Sequence, residues 1–251
     1  MEKIRISAVR YANTYPFIYG LSESGFDRKA IIETDHPAEC AAKLIDGRAD
    51  IGLIPVAAIP LMKESHIISD YCIGANGKVR TIQLMSNSEF GEIKKVFLDY
   101  RSRTSVNLVK VLARYKWGRN FEWSETSANF DFLNRSDREA VVLIGDQCFE
   151  SEKWFKFRID LAEEWKEFSG LPFVFACWVS NREIGKSLVE DFNNSLATGV
   201  NNIDLVVKKF GSSGIIRGAE LKEYLEKNID YRLDEEKRIG MDLFLKLLMT
   251  V

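Results

Sequence analysis

The sequence predicts an α/β protein of two lobes, each built on a mixed sheet with flanking helices, with a ligand cleft between the lobes. Short apolar strands alternate with amphipathic helices as far as about residue 180, a pattern typical of sheets joined by helical crossovers. Beyond residue 181 the chain is helical in rhythm, with charged outer faces. With 251 residues and 46% hydrophobic content, the chain is long enough for two such units.

The chain is expected to pass between the lobes twice. We expect residues 1–82 and 176–251 to form the first lobe and residues 83–175 to form the second. The crossings are predicted near residues 81–86 and 173–180, which leaves strand ends of both lobes facing a shared cleft. Small-molecule sites are concave and often lie between lobes of this kind.

Individual elements follow from local patterns. Strands are predicted where apolar runs or polar-apolar alternation occur, at residues 1–9, 30–33, 50–58, 67–72, 79–86, 95–98, 121–123, 140–144 and 173–179. Helices are predicted where the apolar period is 3.6 or where Pro and Gly bracket a segment, at residues 37–47, 103–117, 183–194, 203–210, 219–228 and 234–249. A short helix is expected near Pro16, capped by Asn13 or Thr14, and residues 160–172 read as an amphipathic turn or short helix.

Composition excludes several classes of function. The formal charge is −2 and the basic residues form no block, so nucleic-acid binding is not expected. Neither a secretory signal nor an apolar run of membrane-spanning length is visible, which indicates a cytoplasmic protein that does not enter membranes. The four cysteines lie far apart and there are only two histidines, so we expect reduced core cysteines and no metal site. Nothing in the sequence specifies an oligomeric state.

The turn between the strand at 95–98 and the following helix carries the strongest local signal for a ligand. Ser102, Thr104 and Ser105 stand where free N–H groups of the first helical turn converge, and Arg103 adds a positive charge. A helix N-terminus with these groups suits a carboxylate or phosphate. The same hydroxyls also suit a simple helix cap, and this segment alone does not choose between the two interpretations.

Two other positions fall at predicted carboxyl ends of strands, where α/β sheets present ligand groups. Asn13 follows the first strand, and Gly145 and Asp146 follow the strand at 140–144. Gly145 allows a ligand to approach the backbone closely. The alternative is that Asn13 caps a helix and that Gly145 and Asp146 form an ordinary turn.

Five motifs together resemble the chorismate dehydratase family of the futalosine route to menaquinone, over nearly the whole chain. They are YANTYPFIYGL (11–21), DIGLIPVA (50–57), SRTSV (102–106), LIGD (143–146) and DLAEEWKEFSGLPFVFACW (160–178), of which the last is the most specific. The resemblance implies a fold like that of type II periplasmic binding proteins. It also implies a lyase that removes water from chorismate to give 3-[(1-carboxyvinyl)oxy]benzoate, with no metal or organic cofactor.

The same resemblance implies which positions face the substrate. They are Asn13, Thr81, Ser102, Arg103, Thr104, Ser105, Gly145 and Asp146. Thr81 stands where the family commonly has serine, so a hydroxyl is kept at that position. No histidine falls within a matched motif, and Asn13 cannot accept a proton at neutral pH. We therefore expect the enolpyruvyl carboxylate of the substrate to remove the C3 proton while Asn13 orients it, with Asp146 as the alternative base.

Two other functions fit the same fold. A solute-binding protein would use closing lobes to deliver a ligand rather than to transform it, although the expected cytoplasmic location argues against that role. The later enzyme of the same route, 1,4-dihydroxy-6-naphthoate synthase, is similar in fold. Residues 102–105 and 170–175 favour the dehydratase.

Overall fold

The computed structural model describes residues 3–133, 136–212 and 214–251. The first sheet begins with four strands, β1 (Ile4–Val9), β2 (Ala30–Asp35), β3 (Ile51–Pro55) and β4 (His66–Ala75). The second sheet takes the next five, β5 (Ile82–Ser86), β6 (Lys95–Leu98), β7 (Glu122–Glu125), β8 (Glu139–Ile144) and β9 (Phe157–Asp160). The chain then returns to the first sheet with β10 (Phe173–Ser180) and β11 (Asp230–Arg232).

Helices flank both sheets. In chain order they are α1 (Tyr15–Glu23), α2 (Pro37–Ile45), α3 (Arg103–Tyr115), α4 (Gln147–Ser151), α5 (Leu161–Ser169), α6 (Lys186–Val200), α7 (Ile203–Phe210), α8 (Gly218–Glu223) and α9 (Glu235–Leu248). Three short segments matter for the cleft: 3₁₀ turns at Ala12–Thr14 and Val56–Leu61, and a π-helical turn at Tyr224–Asn228 that continues α8. Within the described residues, none of the helices combines the length and the apolar character that crossing a bilayer demands.

Both sheets are mixed, as the sequence predicts. The first has the order β11-β4-β10-β3-β1-β2, and the second has the order β7-β6-β8-β5-β9. In the first sheet β1 is parallel to β2 and β3, whereas β10 is antiparallel to β3 and β4. In the second, β6 is parallel to β7 and β8, and β5 is antiparallel to β8 and β9. The chain changes sheets between β4 and β5 and again between α5 and β10.

Strand β10 forms the centre of the larger core. All eight of its residues are buried, because β3 and β4 flank it and helices cover the sheet. Phe173 packs edge-on against Trp165 of α5 and Phe244 of α9, with ring centroids 5.3 Å and 5.0 Å apart. Burial of several large aromatic side chains at one place contributes roughly 2–3 kcal/mol each before the entropy of ordering is counted. This cluster holds the returning helices against the sheet.

Several predicted boundaries differ from the structure. The strand predicted to reach residue 58 ends at Pro55, because the chain turns into the 3₁₀ segment Val56–Leu61, which contains Pro60. Helix α6 begins at Lys186, later than predicted. Strands β9 and β11 and helix α4 were not predicted, since each has only three to five residues. Met1 and Glu2, the start of the predicted first strand, lie outside the described residues.

Candidate functional site

A cleft lies between the two sheets, and its empty space, including the part open to solvent, is about 480 Å³. Most of its walls are apolar, and its polar side chains come from three separate segments of the chain. The lining residues are Val9, Tyr11, Asn13, Pro37, Pro55, Ile73, Val79, Thr81, Ile82, Ser102, Ser105, Ile144, Gly145, Phe175 and Ala176. Because β1, β3 and β8 end at this cleft and Ser102 follows β6, the carboxyl ends of strands in both sheets supply much of its wall.

None of the described side chains that line the cleft carries a charge. Positive potential reaches it instead from helix N-termini, since Pro37 is the first residue of α2 and Ser102 is the N-cap of α3. Each N-terminus is equivalent to roughly half a positive charge. An anion in this cleft would be held by dipoles and neutral donors rather than by a cationic side chain.

Asn13 follows β1 within the 3₁₀ turn Ala12–Thr14 and is 8% exposed. Its side-chain oxygen accepts a hydrogen bond from Thr14 Oγ1 at 3.2 Å, and its backbone carbonyl accepts one from the Tyr231 hydroxyl at 3.0 Å. Thr14 is the N-cap of α1, one of the two residues expected there, although its side chain makes no capping bond. With its oxygen engaged, the Asn13 amide presents N–H donors.

The turn before α3 joins two hydroxyls at the cleft wall. Ser102 Oγ accepts from the Ser105 backbone N–H at 3.2 Å, which is the predicted N-cap bond. The same oxygen lies 2.9 Å from Ser105 Oγ. Two hydroxyls that bond to each other share one hydrogen between them, so one further proton remains to be donated. The turn is therefore a helix cap that also faces the cleft.

Arg103 and Thr104 do not line the cleft, contrary to expectation. Arg103 is exposed, because the first helical turn places its side chain on the outer face of α3. Thr104 is 1% exposed and its Oγ1 accepts from the Ala57 backbone N–H at 3.2 Å. Thr104 thus joins α3 to the 3₁₀ segment after β3, and its hydroxyl is used between the lobes rather than toward a ligand.

Gly145 is the point where the second lobe meets Tyr11. Its backbone has φ of 72°, in the left-handed region, and its N–H donates to the Thr81 carbonyl at 2.8 Å. A Cβ added here would lie 2.6 Å from Cε1 of the Tyr11 ring, which is closer than real side chains approach. Glycine is required both for the backbone conformation and for this contact between the lobes.

Asp146 spans the two lobes with its carboxylate. Both of its oxygens accept from the Ala12 backbone N–H, at 3.2 Å and 3.1 Å, at the start of the turn that carries Asn13. Burial raises the pKa of Asp146 to about 6, and the bond from Ala12 opposes that rise. Asp146 is absent from the cleft lining, so the structure places it behind Asn13 and not against the ligand space.

Thr81 opens the first crossing and is 1% exposed. Its Oγ1 lies 2.9 Å from the Tyr224 hydroxyl and 3.5 Å from the Val79 carbonyl oxygen. The crossing itself is fixed by Asp160, whose carboxylate accepts from the backbone N–H groups of Val79 and Arg80 at 3.0 Å and 2.7 Å. Asp160 also caps α5, so one side chain ties the crossing to the second lobe.

The structure brings Asn13, Thr81, Ser102, Ser105 and Gly145 together around one space, and these are five of the eight positions expected from the sequence to face a ligand. It also adds wall residues that the sequence analysis did not single out. They are chiefly Tyr11, Pro37, Pro55 and Phe175. Tyr11 and Phe175 fall inside matched motifs, which is a usable signal, whereas Pro37 looked only like the first residue of a helix.

A family model described as menaquinone biosynthesis matches residues 4–250. The chain belongs to the menaquinone biosynthesis family. The resemblance carried by the five motifs is thereby confirmed. A relative from Thermus thermophilus named chorismate dehydratase is 25% identical over 261 residues, which cover 95% of this chain and 93% of the relative.

Two solved structures are similar to this menaquinone biosynthesis family member in fold. One is the Candida albicans CA3427 gene product, described as having the generic periplasmic binding protein fold. It has a TM-score of 0.70 at 12% identity, and the match covers 100% of this chain and 91% of that chain. The other is the alkanesulfonate-binding protein of Xanthomonas axonopodis pv. citri bound to MOPS, with a TM-score of 0.68 at 13% identity, covering 98% and 93%. The predicted two-lobed, periplasmic-binding-protein-like fold is confirmed.

Proposed function

We propose that this protein is a chorismate dehydratase, a lyase that removes water from chorismate to give 3-[(1-carboxyvinyl)oxy]benzoate in menaquinone biosynthesis. The observation that carries the proposal is the cleft itself, in which neutral donors and helix N-termini stand on apolar walls. Chorismate has an apolar ring face and two carboxylates, and this combination matches both features of the cleft. Membership of the family and the named Thermus relative support the same assignment.

The reaction breaks the C3–H and C4–O bonds of chorismate and forms the last double bond of an aromatic ring. The proton and the hydroxyl group leave together as water. Because aromatisation drives the reaction, the protein mainly needs to hold one conformation and to stabilise developing negative charge. In this proposal Ser102 and Ser105 at the N-terminus of α3 hold the ring carboxylate, which is conjugated to the carbon that loses the proton.

We assign the proton transfer to the enolpyruvyl carboxylate of the substrate, which lies close to C3. Asn13 donates its amide N–H groups to that carboxylate or to the leaving hydroxyl, since its oxygen is already occupied by Thr14. Asp146 as the base is the alternative. Its position outside the cleft lining and its bonds to Ala12 favour the substrate carboxylate.

Incubation of purified protein with chorismate, followed by mass and absorbance analysis of the product, tests the assignment. We expect the benzoate ether and water, with activity unchanged after treatment with a chelator, because the proposed chemistry uses no metal ion. Binding of chorismate without conversion would favour a solute-binding role. No binding would favour another step of the same pathway, for which 1,4-dihydroxy-6-naphthoate synthase activity is the first assay to run.

Asn13→Asp links the activity to the cleft. The substitution places a negative charge beside a doubly charged substrate and removes N–H donors, so we expect kcat/KM to fall by about a hundredfold or more, equivalent to roughly 3 kcal/mol. Asn107→Asp adds the same charge on α3 away from the cleft lining and is the matched control. Equal activity of the two variants would remove Asn13 from the site.

A further inference from the structure

Tyr224 lies behind the cleft wall, where the first crossing, the second lobe and the returning C-terminal segment meet. It belongs to the π-helical turn Tyr224–Asn228 and is fully buried. Its hydroxyl lies 2.9 Å from Thr81 Oγ1, and its ring meets Phe149 of α4 edge-on, with centroids 5.2 Å apart. π-helical turns are frequent at functional positions. Tyr224 is absent from the cleft lining, so any influence on a ligand passes through its neighbours.

The proton of the Tyr224 phenol decides the direction of its hydrogen bond with Thr81. Burial raises the pKa of the Tyr224 phenol well above its usual range, while hydrogen bonding with the Thr81 and Asn13 side chains opposes that rise. The phenol therefore keeps its proton and can donate it to Thr81 Oγ1.

A donor from Tyr224 changes what the Thr81 hydroxyl does. When Thr81 Oγ1 accepts that bond, its own proton is free to point elsewhere. The internal acceptor within reach, the Val79 carbonyl oxygen, is 3.5 Å away, beyond the usual length of an O–H···O bond. Thr81 lines the cleft, so an anionic oxygen placed there offers a shorter and stronger bond.

We propose that Tyr224 is a positioning residue for the cleft, which donates to Thr81 and so directs the Thr81 hydroxyl proton toward a ligand oxygen. The inference rests on the proposed function, since it treats Thr81 as a substrate contact. Hydrogen bonds in series reinforce each other, and the bond between Tyr224 and Thr81 would be followed directly by the bond from Thr81 to the ligand oxygen.

A double-mutant cycle tests the proposal. Tyr224→Phe removes the hydroxyl and keeps the ring against Phe149, and we expect kcat/KM to fall about five- to tenfold, the range of one neutral hydrogen bond. Thr81→Val removes the hydroxyl through which Tyr224 acts. In the Thr81→Val background, Tyr224→Phe should therefore change kcat/KM by less than about twofold. Tyr71→Phe, which removes a phenol outside the cleft lining, is the control and should leave activity unchanged.

The cycle separates a positioning role from a structural one. If Tyr224 only supports packing, its substitution lowers kcat/KM equally with and without the Thr81 hydroxyl, and that result overturns the proposal. The split between kcat and KM is a second readout, because a misdirected donor should raise KM or lower kcat at constant melting temperature. Should Tyr224→Phe fold poorly, 3-fluorotyrosine at position 224 keeps the ring and the hydroxyl but makes the phenol a stronger donor, and any change in kcat/KM that it causes should disappear in the Thr81→Val background.

Failure of the proposed function is recognised separately. A wild-type protein that does not convert chorismate contradicts the proposed function and removes this inference with it. A wild-type protein that converts chorismate, with Tyr224→Phe as active as the wild type, contradicts only the role of Tyr224.

Discussion

The Asp146 carboxylate has two possible roles in the proposed reaction: it is either the base that removes the proton or a group that positions Asn13. As a base it would have to reach the C3 proton of the substrate, whereas in the structure both oxygens bond the Ala12 N–H at the start of the turn that holds Asn13. A carboxylate that only holds the turn carrying Asn13 contributes to the position of the Asn13 side chain. A group that accepts the proton is indispensable for turnover.

Asp146→Asn separates the two accounts. We expect kcat to fall by no more than about tenfold, because an amide oxygen can still accept from Ala12, whereas loss of a base costs roughly a hundred- to ten-thousandfold. A larger loss, together with disappearance of a limb of the pH–rate profile near pH 6, would assign the proton transfer to Asp146.

The same variant has a pH-dependent effect on stability. Burial raises the pKa of Asp146 to about 6, above the value of about 3.9 in an unfolded chain. The stability contributed by such a group is fully present below the unfolded pKa and is lost as the pH rises through about 6. We therefore expect the free energy of unfolding of Asp146→Asn, relative to that of the wild type, to rise by at most about 3 kcal/mol between about pH 4 and pH 7. Denaturant unfolding of both proteins at both pH values measures this.

At the scale of single residues, sequence reasoning found the positions whose role depends on local chain direction. Asn13 and Gly145 follow the carboxyl ends of β1 and β8, and Ser102 caps a helix, so strand and helix patterns place them at the cleft. Arg103 and Thr104 lie in the same helical turn, but which of them faces a ligand depends on how the two lobes pack together. In the structure the Thr104 hydroxyl accepts a hydrogen bond from Ala57 of the other lobe. Tyr224 gave no signal, because its partner Thr81 is distant in sequence.

Helix α3 joins a cap and a candidate anion site in one turn, and the two roles can be separated. Glycine is tolerated at an N-cap at a cost of only a few tenths of a kcal/mol, so Ser102→Gly with Ser105→Ala should lower the free energy of unfolding by less than about 1 kcal/mol. If the hydroxyls hold a carboxylate, chorismate affinity should fall about tenfold or more in calorimetric titrations.

Arg103→Gln is the companion variant for α3. The Arg103 side chain is exposed, and salt and water screen its charge, so we expect chorismate affinity to change by less than about twofold. An unchanged affinity in the double serine variant would reduce the turn to a helix cap. A large loss in Arg103→Gln would mean that the arginine turns inward when ligand binds.

Whole elements were predictable where their patterns are long. The 13 residues of α3 and the seven consecutive apolar residues of β10 form patterns long enough to be recognised. Strand β11 has three residues and owes its existence to pairing with β4, which local sequence does not record. The sequence predicted residues 224–228 only as part of an ordinary helix. A π-helical turn differs in having its hydrogen bonds between residues i and i+5, and the local sequence pattern does not distinguish the two.

The two lobes meet at Tyr11 and Gly145, and a pair of glycines tests whether that contact matters for the whole molecule. Gly145 and Gly170 have the same φ of 72°, but a Cβ at Gly170 has nothing within 4 Å, whereas one at Gly145 meets Tyr11 at 2.6 Å. Both alanine variants should lose roughly 1–2 kcal/mol of stability from backbone strain.

Only Gly145→Ala should also hinder the approach of the lobes. We expect it to lower chorismate affinity by about tenfold or more and to increase the radius of gyration in solution scattering, with Gly170→Ala as the control. Equal affinities of the two variants would show that the lobes bind ligand without the contact between Tyr11 and Gly145.

At the scale of the molecule, the alternation of strands and helices was enough to predict two mixed sheets, and the change of pattern after residue 181 was enough to predict a helical return. The order of strands was not predictable in the same way. Strand β10 pairs with β3 and β4 although the whole second lobe separates them in sequence. No local sequence pattern specifies a pairing between segments so far apart in the chain.

The position of β10 also sets the order in which the molecule can be made. The second sheet, β5 to β9, is contiguous in sequence, so it can close as soon as its residues have left the ribosome. The first sheet cannot, because β3 and β4 are not neighbours and their shared partner is synthesised only after all of the second lobe. Until then the apolar edge of β3 stays unpaired, and such edges attract other chains. The order of strands therefore allows the nascent protein to carry a finished second lobe beside a first lobe whose central strands still lack their shared partner.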